Sequence, residues 1–376
     1  MKPNNPFLVY GYISPEYFCD REVETEKMIS ALQNERNLTL IAPRRMGKTG
    51  LIKNVFYQLK EENPNEAAYF YMDIYSTRDL KAFIQLLAQT VLGELDTLSQ
   101  NILRQMTAFF KSCRPVISAD ERSGMPTVSL DFVPERAEQT LKEIFDYMVA
   151  SKKRCYIAID EFQQIMEYPE KGVEALLRSY IQFMPNVHFI FSGSKKHVME
   201  EMFSSAKRPF YQSTQIMILK EIPLRSYYLF AQKFFAQQKR NLTEDTFTYL
   251  YELESGHTWY IQSILNRLYA KKAERIDISV VNECVNDILD ELETIYQSNL
   301  TLLTNNQVEL MKAIATEGCV KSVNANEFIK KHHLKTPSSV NVALKSLINK
   351  ELIYNTPNGY IVYDRFFGKW LKDTVV

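Results

Sequence analysis

The octapeptide Ala42-Pro43-Arg44-Arg45-Met46-Gly47-Lys48-Thr49 has the composition and spacing of a loop that holds phosphate groups. It fits the Walker A form G-x-x-x-x-G-K-[ST], with Ala42 in the first glycine position. Backbone N–H groups in such a loop curl around phosphate oxygens, and the N-terminus of the following helix adds its dipole. Gly47 allows a backbone conformation that a Cβ would hinder. Lys48 is placed to reach β- and γ-phosphates, the Thr49 hydroxyl to ligate Mg²⁺. Because a small residue at position 42 still leaves room for the turn, the substitution weakens the pattern only slightly.

The stretch RCYIAIDEFQQI supplies the carboxylates this chemistry needs. An apolar run ends in Asp160-Glu161, as expected of a Walker B segment on a strand neighbouring the loop. Asp160 would hold Mg²⁺ through water, and Glu161 would orient or deprotonate an attacking water. Taken singly, the octapeptide has the lesser alternative of a basic surface turn, and the acidic pair reads first as an N-cap with a solvated charge. Together, at the carboxyl ends of strands in one sheet, they read as a site for ATP or a close relative with Mg²⁺. Near the end of VHFIFSGS, Ser192 and Ser194 either contact the γ-phosphate and the attacking water or satisfy a strand-to-helix turn. Arg44 and Arg45 either touch phosphate, pair with an acidic residue or face water; for at least one, a structural ion pair is expected. The expected catalytic set is Glu161, Lys48 and Ser194. Thr49 and Asp160 form the metal set, and nucleotide contacts come from Pro43 through Gly50 and from Ser192.

These residues need a particular scaffold. NLTLIA, residues 37–42, is a short apolar run suited to a buried parallel strand, and LIKNVFYQLK places Leu51, Ile52, Val55, Phe56 and Leu59 on one helical face. Strand-like runs recur at 67–74, 155–160, 187–192 and 215–219, separated by helical patterns such as 80–92 and 136–149. That alternation predicts an open parallel α/β sheet with right-handed crossovers. PVIS and TVSLDF around ADERSGMP predict an inserted hairpin. Beyond about Pro223 strands give way to amphipathic helices up to about Ser298. From Thr304 three helical segments lead into IYNTP-NG-YIVYD, where Asn358-Gly359 signals a hairpin and the whole reads as a winged helix. The expected domains are 1–222, 223–298 and 299–376.

Charge and cysteine usage bound the partners. With 45 Lys and Arg against 45 Asp and Glu, the whole chain makes no electrostatic case for nucleic acid or anionic membrane. Cys19, Cys113, Cys155, Cys284 and Cys319 lie far apart without zinc spacing, and read as reduced, mostly buried thiols. No apolar run approaches the ~20 residues that cross a bilayer. A soluble, cytoplasmic protein is the expectation.

Several boxes in this order resemble the archaeal-type ATPase family, close to the STAND NTPases within the AAA+ class. YFCDREVETEKM is similar to the family's F-x-G-R-E-x-E entry box, APRRMGKTGLI to G-P-R-R-x-G-K-T-S-L-I, and AIDEFQQ to hydrophobic-D-E-x-Q. FIFSGSKKHVMEEMF is similar to the sensor-1 strand and helix, RPFYQST to R-P-F-Y-G-R, and ESGHTWYIQ to G-H-P-Y-Y-L-Q. The resemblance covers nearly the whole chain and implies an α/β P-loop NTPase with a RecA-like AAA+ core, a helical lid and a C-terminal winged helix. It further implies that Arg21 and Glu22 pack near the adenine and that His257 lies where lid meets nucleotide. There are departures: Cys19-Asp20 in the entry box, Ala42 and Gly50 in the loop, Thr258 in the lid motif, and Ser213 where the family carries a second arginine, which leaves Arg208 alone. If that arginine serves hydrolysis, turnover here is slow or needs a partner. Trp259, Tyr260 and Ile261, an aromatic stripe at helical spacing, are expected in the core.

The third helix of the winged helix offers Asn341, Lys345, Asn349 and Lys350, with Lys330, Lys331, His332, His333 and Lys335 before it, a modest basic patch diluted by Glu327, Glu351 and Asp364. DNA binding and protein contact are therefore both open. The leading functional expectation is a nucleotide-dependent switch that hydrolyses ATP with Mg²⁺ and signals to a protein partner, DNA or further copies of itself, without a membrane. A DNA-binding module with a structural nucleotide is the alternative; a small-molecule phosphotransferase ranks third, since no acceptor-site motif is present.

Overall fold

The computed structural model describes residues 2–64, 66–95, 106–119, 126–271, 273 and 275–374. They form two compact units, one of residues 1–3, 8–227 and 257–259, the other of 4–7, 228–256 and 260–376.

The first unit is built on a five-stranded sheet: β1 (Leu38–Ile41), β2 (Ala67–Asp73), β5 (Arg154–Asp160), β6 (Val187–Gly193) and β7 (Gln215–Ile218). The order is β2-β5-β6-β1-β7, and every pairing is parallel. Around it run α1 (Glu22–Gln33), α2 (Lys48–Glu62), α3 (Leu80–Leu95), α4 (Ala137–Ala150), α5 (Val173–Ile181) and α6 (Lys196–Ser204). β1, β5 and β6 are buried along nearly their whole length, which explains why their sequences read as continuous apolar runs instead of alternating. Phe162, Phe191, Phe203 and Phe210 pack ring against ring beneath the end of β6. β3 (Arg114–Ala119) and β4 (Pro126–Asp131) form the expected antiparallel hairpin; the DERSGM of its turn, 120–125, lies outside the described residues.

β5 does not neighbour β1, contrary to the expectation from sequence. β6 lies between them, so the carboxylates are one strand farther from the loop and Ser194 stands in the gap.

The second unit is helical. α7 (Leu224–Gln237) and α9 (Thr258–Ala270) have their first residues in the first unit and the rest in the second. They are followed or separated by α8 (Glu244–Leu253), α10 (Ile278–Thr301), and two minimal strands, β8 (Asn241–Leu242) and β9 (Arg275–Ile276), which the sequence reading passed over. Phe7, near the N-terminus, is fully buried among Phe230, Phe234, Phe235 and Tyr269 of this unit.

The winged helix comprises α11 (Asn305–Glu317), α12 (Asn326–Lys331), α13 (Pro337–Asn349), β10 (Ile353–Thr356), β11 (Gly359–Val362) and α14 (Arg365–Asp373). A Thr304/Gln307 capping box starts α11, and Thr336 with Pro337 starts α13. Thr356 pairs with Gly359, so the turn is Pro357-Asn358, one residue earlier than expected. Gly359 has φ +134°, and a Cβ there would lie 2.5 Å from the Val320 carbonyl oxygen; backbone conformation and close approach both require this glycine.

α14 is fastened by a buried ion pair. Glu254, at the end of α8, has no exposed surface, and Lys369 Nζ lies 3.2 Å from its Oε1 while donating to the Leu253 carbonyl at 3.0 Å. Burial raises the Glu254 pKa above its ordinary 4.5, and Lys369 works against that rise. Stability contributed by a carboxyl with a raised folded pKa is complete below 4.5 and is lost as pH rises through the folded value. Lys369→Met leaves the buried carboxylate uncompensated, so denaturant unfolding should show a loss of about 3 kcal/mol at neutral pH, shrinking as pH falls toward the ordinary carboxyl range.

Candidate functional site

The phosphate-type loop leaves the buried end of β1 and enters α2 through Gly47, whose φ of 91° and ψ of 19° place it in the left-handed region. Ala42 and Met46 are buried, so loop and core are packed as one piece. Arg45 also has a positive φ, 65°, and its guanidinium lies over the Trp259 ring at 4.2 Å, while the Trp259 N–H donates to the Arg45 carbonyl at 3.2 Å. Trp259 is therefore only partly buried and faces the loop; Tyr260 and Ile261 are the core residues of that stripe. The Arg44 guanidinium lies 5.2 Å from the Tyr75 ring centre.

Lys48 is buried, with Nζ donating to the Ala42 carbonyl at 3.3 Å and lying 3.8 Å from Glu161 Oε1. Burial pulls its pKa down, and the negative charges of Asp160 and Glu161 push it back up. Thr49 Oγ1 donates to Asp160 Oδ2 at 2.9 Å, and the Glu161 N–H donates to Asp160 Oδ1 at 3.0 Å. The residue types of the two motifs thus meet although 111 positions separate Thr49 from Asp160. The parallel sheet causes this, since it brings all its strands' carboxyl ends to one edge.

Glu161 sits at φ 54°, in the left-handed region, an uncommon conformation for a residue with a Cβ. Its Oε2 accepts from Ser194 Oγ at 2.6 Å and from Gln163 Nε2 at 2.5 Å. Ser194 therefore touches the carboxylate, whereas the Ser192 hydroxyl is fully enclosed and makes no hydrogen bond among the described residues. Gln163 was not singled out from sequence as a site residue; the family-like D-E-x-Q spacing was its one signal.

Tyr71 was also missed. From β2 its hydroxyl donates to Asp160 Oδ2 at 2.7 Å and lies 3.4 Å from Thr49 Oγ1. Burial and the nearby Asp160 charge push its pKa up, which keeps the phenol a neutral donor. Asp73, register partner of Asp160, has its pKa raised first by burial and then, against the lowering hydrogen bond from the Tyr75 N–H, by Asp160 and Glu161.

The remaining expected residues are placed as follows. The buried Arg21 guanidinium donates to the Lys220 carbonyl at 2.6 Å and to the Met46 carbonyl at 3.4 Å, and pairs with Glu24 at 3.1 Å. It braces the loop against the segment after β7. His257 belongs to the same unit as the loop. A Cβ on Gly50 would fall 2.9 Å from Phe18 Cε2, a packing reason for glycine where the similar motif has serine. Arg208 is held by Glu174 at 2.5 Å and Glu201 at 3.7 Å.

A hard-oxygen pair, Thr49 and Asp160, beside a lysine at a helix N-terminus suits a phosphate accompanied by Mg²⁺. The comparisons agree on the class. The chain matches the family described as "ATPase domain predominantly from Archaea" over residues 18–268, and a probable winged helix domain over 294–373. It belongs to that ATPase family, with a P-loop NTPase core and a C-terminal winged helix. The Walker-type ATPase PABY2304 of Pyrococcus abyssi is similar in fold, with 17% identity and a TM-score of 0.65 over 98% of this chain and 99% of that one. The ORC2 protein of Aeropyrum pernix, solved as ADPNP-ADP complexes, shows 15% identity and a TM-score of 0.58 over 100% and 99%. No curated protein matches the chain. No helix among the described residues is long and apolar enough to cross a membrane.

Gly193, at the end of β6, has no room for a side chain: a Cβ would collide with Gln163 Oε1 and sit 2.5 Å from Met199 Sδ. Gly193→Ala should therefore displace Gln163 from Glu161 and cost about 1–3 kcal/mol, read by chemical denaturation.

Proposed function

We propose that this chain is an Mg²⁺-dependent ATPase that works as a nucleotide-controlled switch. The observation that supports this best is the meeting of Lys48, Thr49, Asp160, Glu161 and Ser194 at one edge of a parallel sheet, with the Thr49–Asp160 hydrogen bond at 2.9 Å and the Lys48–Glu161 approach at 3.8 Å. Residues Pro43 to Gly50 would wrap the phosphates, with the start of α2 directed at them. Lys48 would balance charge on the β- and γ-phosphates. Thr49, and Asp160 through water, would hold Mg²⁺, which supplies charge neutralisation as the terminal phosphoryl group departs. Glu161 would accept a proton from the attacking water, with Ser194 and Gln163 fixing its rotamer. Ser192, Arg21 and His257 are proposed to act around the nucleotide, Arg21 through its brace on Met46.

In this reading residues 1–222 bind nucleotide, 223–298 form a lid and 299–376 carry the signal outward. The cations of the winged helix are partly spent within the chain: Lys331 pairs with Glu317 and Lys350 donates to Leu302 inside the domain, and Lys369 pairs with Glu254 of α8. The DNA-binding alternative draws support from an excess of Lys and Arg over Asp and Glu within 294–373, ten to six.

Two variants test the central reading. Lys48→Ala should abolish binding of ATP by calorimetry. Glu161→Gln should bind ATP with wild-type affinity while turnover falls at least ~100-fold, the scale of general-base loss; wild-type turnover in that variant would sink the catalytic assignment. Turnover measured with and without duplex DNA separates the two partner readings, because DNA binding through Lys345 and Lys350 should weaken steeply with salt.

A further inference from the structure

Asp160 Oδ2 accepts two hydroxyls, and they have different prospects once the site is loaded. Thr49 Oγ1, at 2.9 Å, is the group that would turn to Mg²⁺. Tyr71 OH, at 2.7 Å, comes from the edge strand β2 and has no part in the phosphate loop. Its ring is fixed independently: Lys53 of α2 lies with Nζ 5.4 Å from the ring centre, and the strand register pairs Tyr71 with Ala158, two residues before Asp160. A carboxylate that reaches a cation through water must keep its oxygens aimed at that water. With Thr49 engaged elsewhere and Oδ1 already accepting the Glu161 N–H, the phenol is, among the described residues, the side-chain donor left to aim Oδ2.

We propose that Tyr71 is a positioning residue for the metal end of this site, setting its affinity for Mg²⁺ through the rotamer of Asp160. The inference rests on the reading above in which Thr49 and Asp160 serve Mg²⁺. It concerns a residue outside both phosphate-site motifs, and it separates metal affinity from nucleotide affinity. Tyr71 touches the metal-side carboxylate, whereas Lys48 and the loop carry the phosphate contacts.

Tyr71→Phe isolates the effect, because it keeps the ring under Lys53 and removes only the O–H. The control is Tyr69→Phe, two residues earlier on the same strand, where the ring stacks on Tyr156 at 5.5 Å. Full-length wild type and both variants are titrated with a fluorescent ATP analogue in EDTA and then with Mg²⁺ at fixed nucleotide. Mn²⁺ binding to the nucleotide complex is followed by electron paramagnetic resonance. Tyr71→Phe should bind nucleotide as wild type does in EDTA, yet need about tenfold more Mg²⁺ or Mn²⁺ for half-saturation, the lower end of what loss of a ligand's supporting hydrogen bond costs. Tyr69→Phe should leave both titrations unchanged. Superimposable metal titrations for Tyr71→Phe and wild type would overturn the proposal. So would an equal loss of nucleotide affinity with and without metal, which marks a merely structural residue. If wild type itself shows no metal dependence, the assignment of Thr49 and Asp160 fails first and this inference with it.

Discussion

The hydrogen bond from Thr49 to Asp160 joins the first turn of α2 to the end of β5 across an intervening strand. Most of the first unit's organisation can be understood as what that contact requires. β6 must be covered on both faces to lie between β1 and β5, and its burial along all seven residues meets that need. Its last residue must be glycine, since Gln163 and Met199 occupy the space of a side chain. The loop must return to the same edge of the sheet, which Gly47 permits through its left-handed backbone. Behind the edge, the Phe162, Phe191, Phe203 and Phe210 cluster supplies the rigid floor. A hydrogen bond contributes only about 1 kcal/mol net, so it does not hold the sheet together. The sheet holds the bond, and preorganisation for charged ligands follows.

Charge at this edge is unbalanced within the protein. Around buried Lys48 stand Asp73, Asp160 and Glu161, with Arg44 as a further cation close enough to lower the lysine's pKa. Burial first, and then the Asp160 and Glu161 charges, raise the cost of ionising Asp73 at the end of β2. A polyanionic phosphate alone would add to the repulsion, whereas one arriving with a divalent cation brings compensation to the oxygen side of the site. The edge thus has a lysine side and a carboxylate side, with Glu161 at the junction, 3.8 Å from Lys48 and bonded to Ser194.

Features set by local sequence were readable in advance: the strand-loop-helix around Lys48, the acidic end of β5, the alternation of strands and helices, and the hairpin before α14. Those that depend on which strands become neighbours were not. Tyr71 reads as one more aromatic in the half-buried run AAYFYMD, and its role exists only because β2 lies beside β5. Gln163 reads as a polar residue on a helical turn, and the insertion of β6 between β1 and β5 is invisible without long-range pairing. Trp259 misleads for a related reason. Beside Tyr260 and Ile261 it reads as one more apolar core residue, but Arg45 in the loop offers its guanidinium as a competing partner. Gly50 and Gly359 are explained by Phe18 and Val320, neighbours distant in sequence.

The grouping of residues 257–259 with the first unit gives α9 a special position. Its opening residues share a compact unit with the loop, through the Trp259 N–H on the Arg45 carbonyl and the guanidinium over the indole, while Tyr260 onward belongs to the helical unit. Within that second unit, Tyr260 accepts from the Arg365 N–H and packs edge-on against Phe366 at the start of α14. Consecutive residues of one helix therefore touch the phosphate loop and the C-terminal helix.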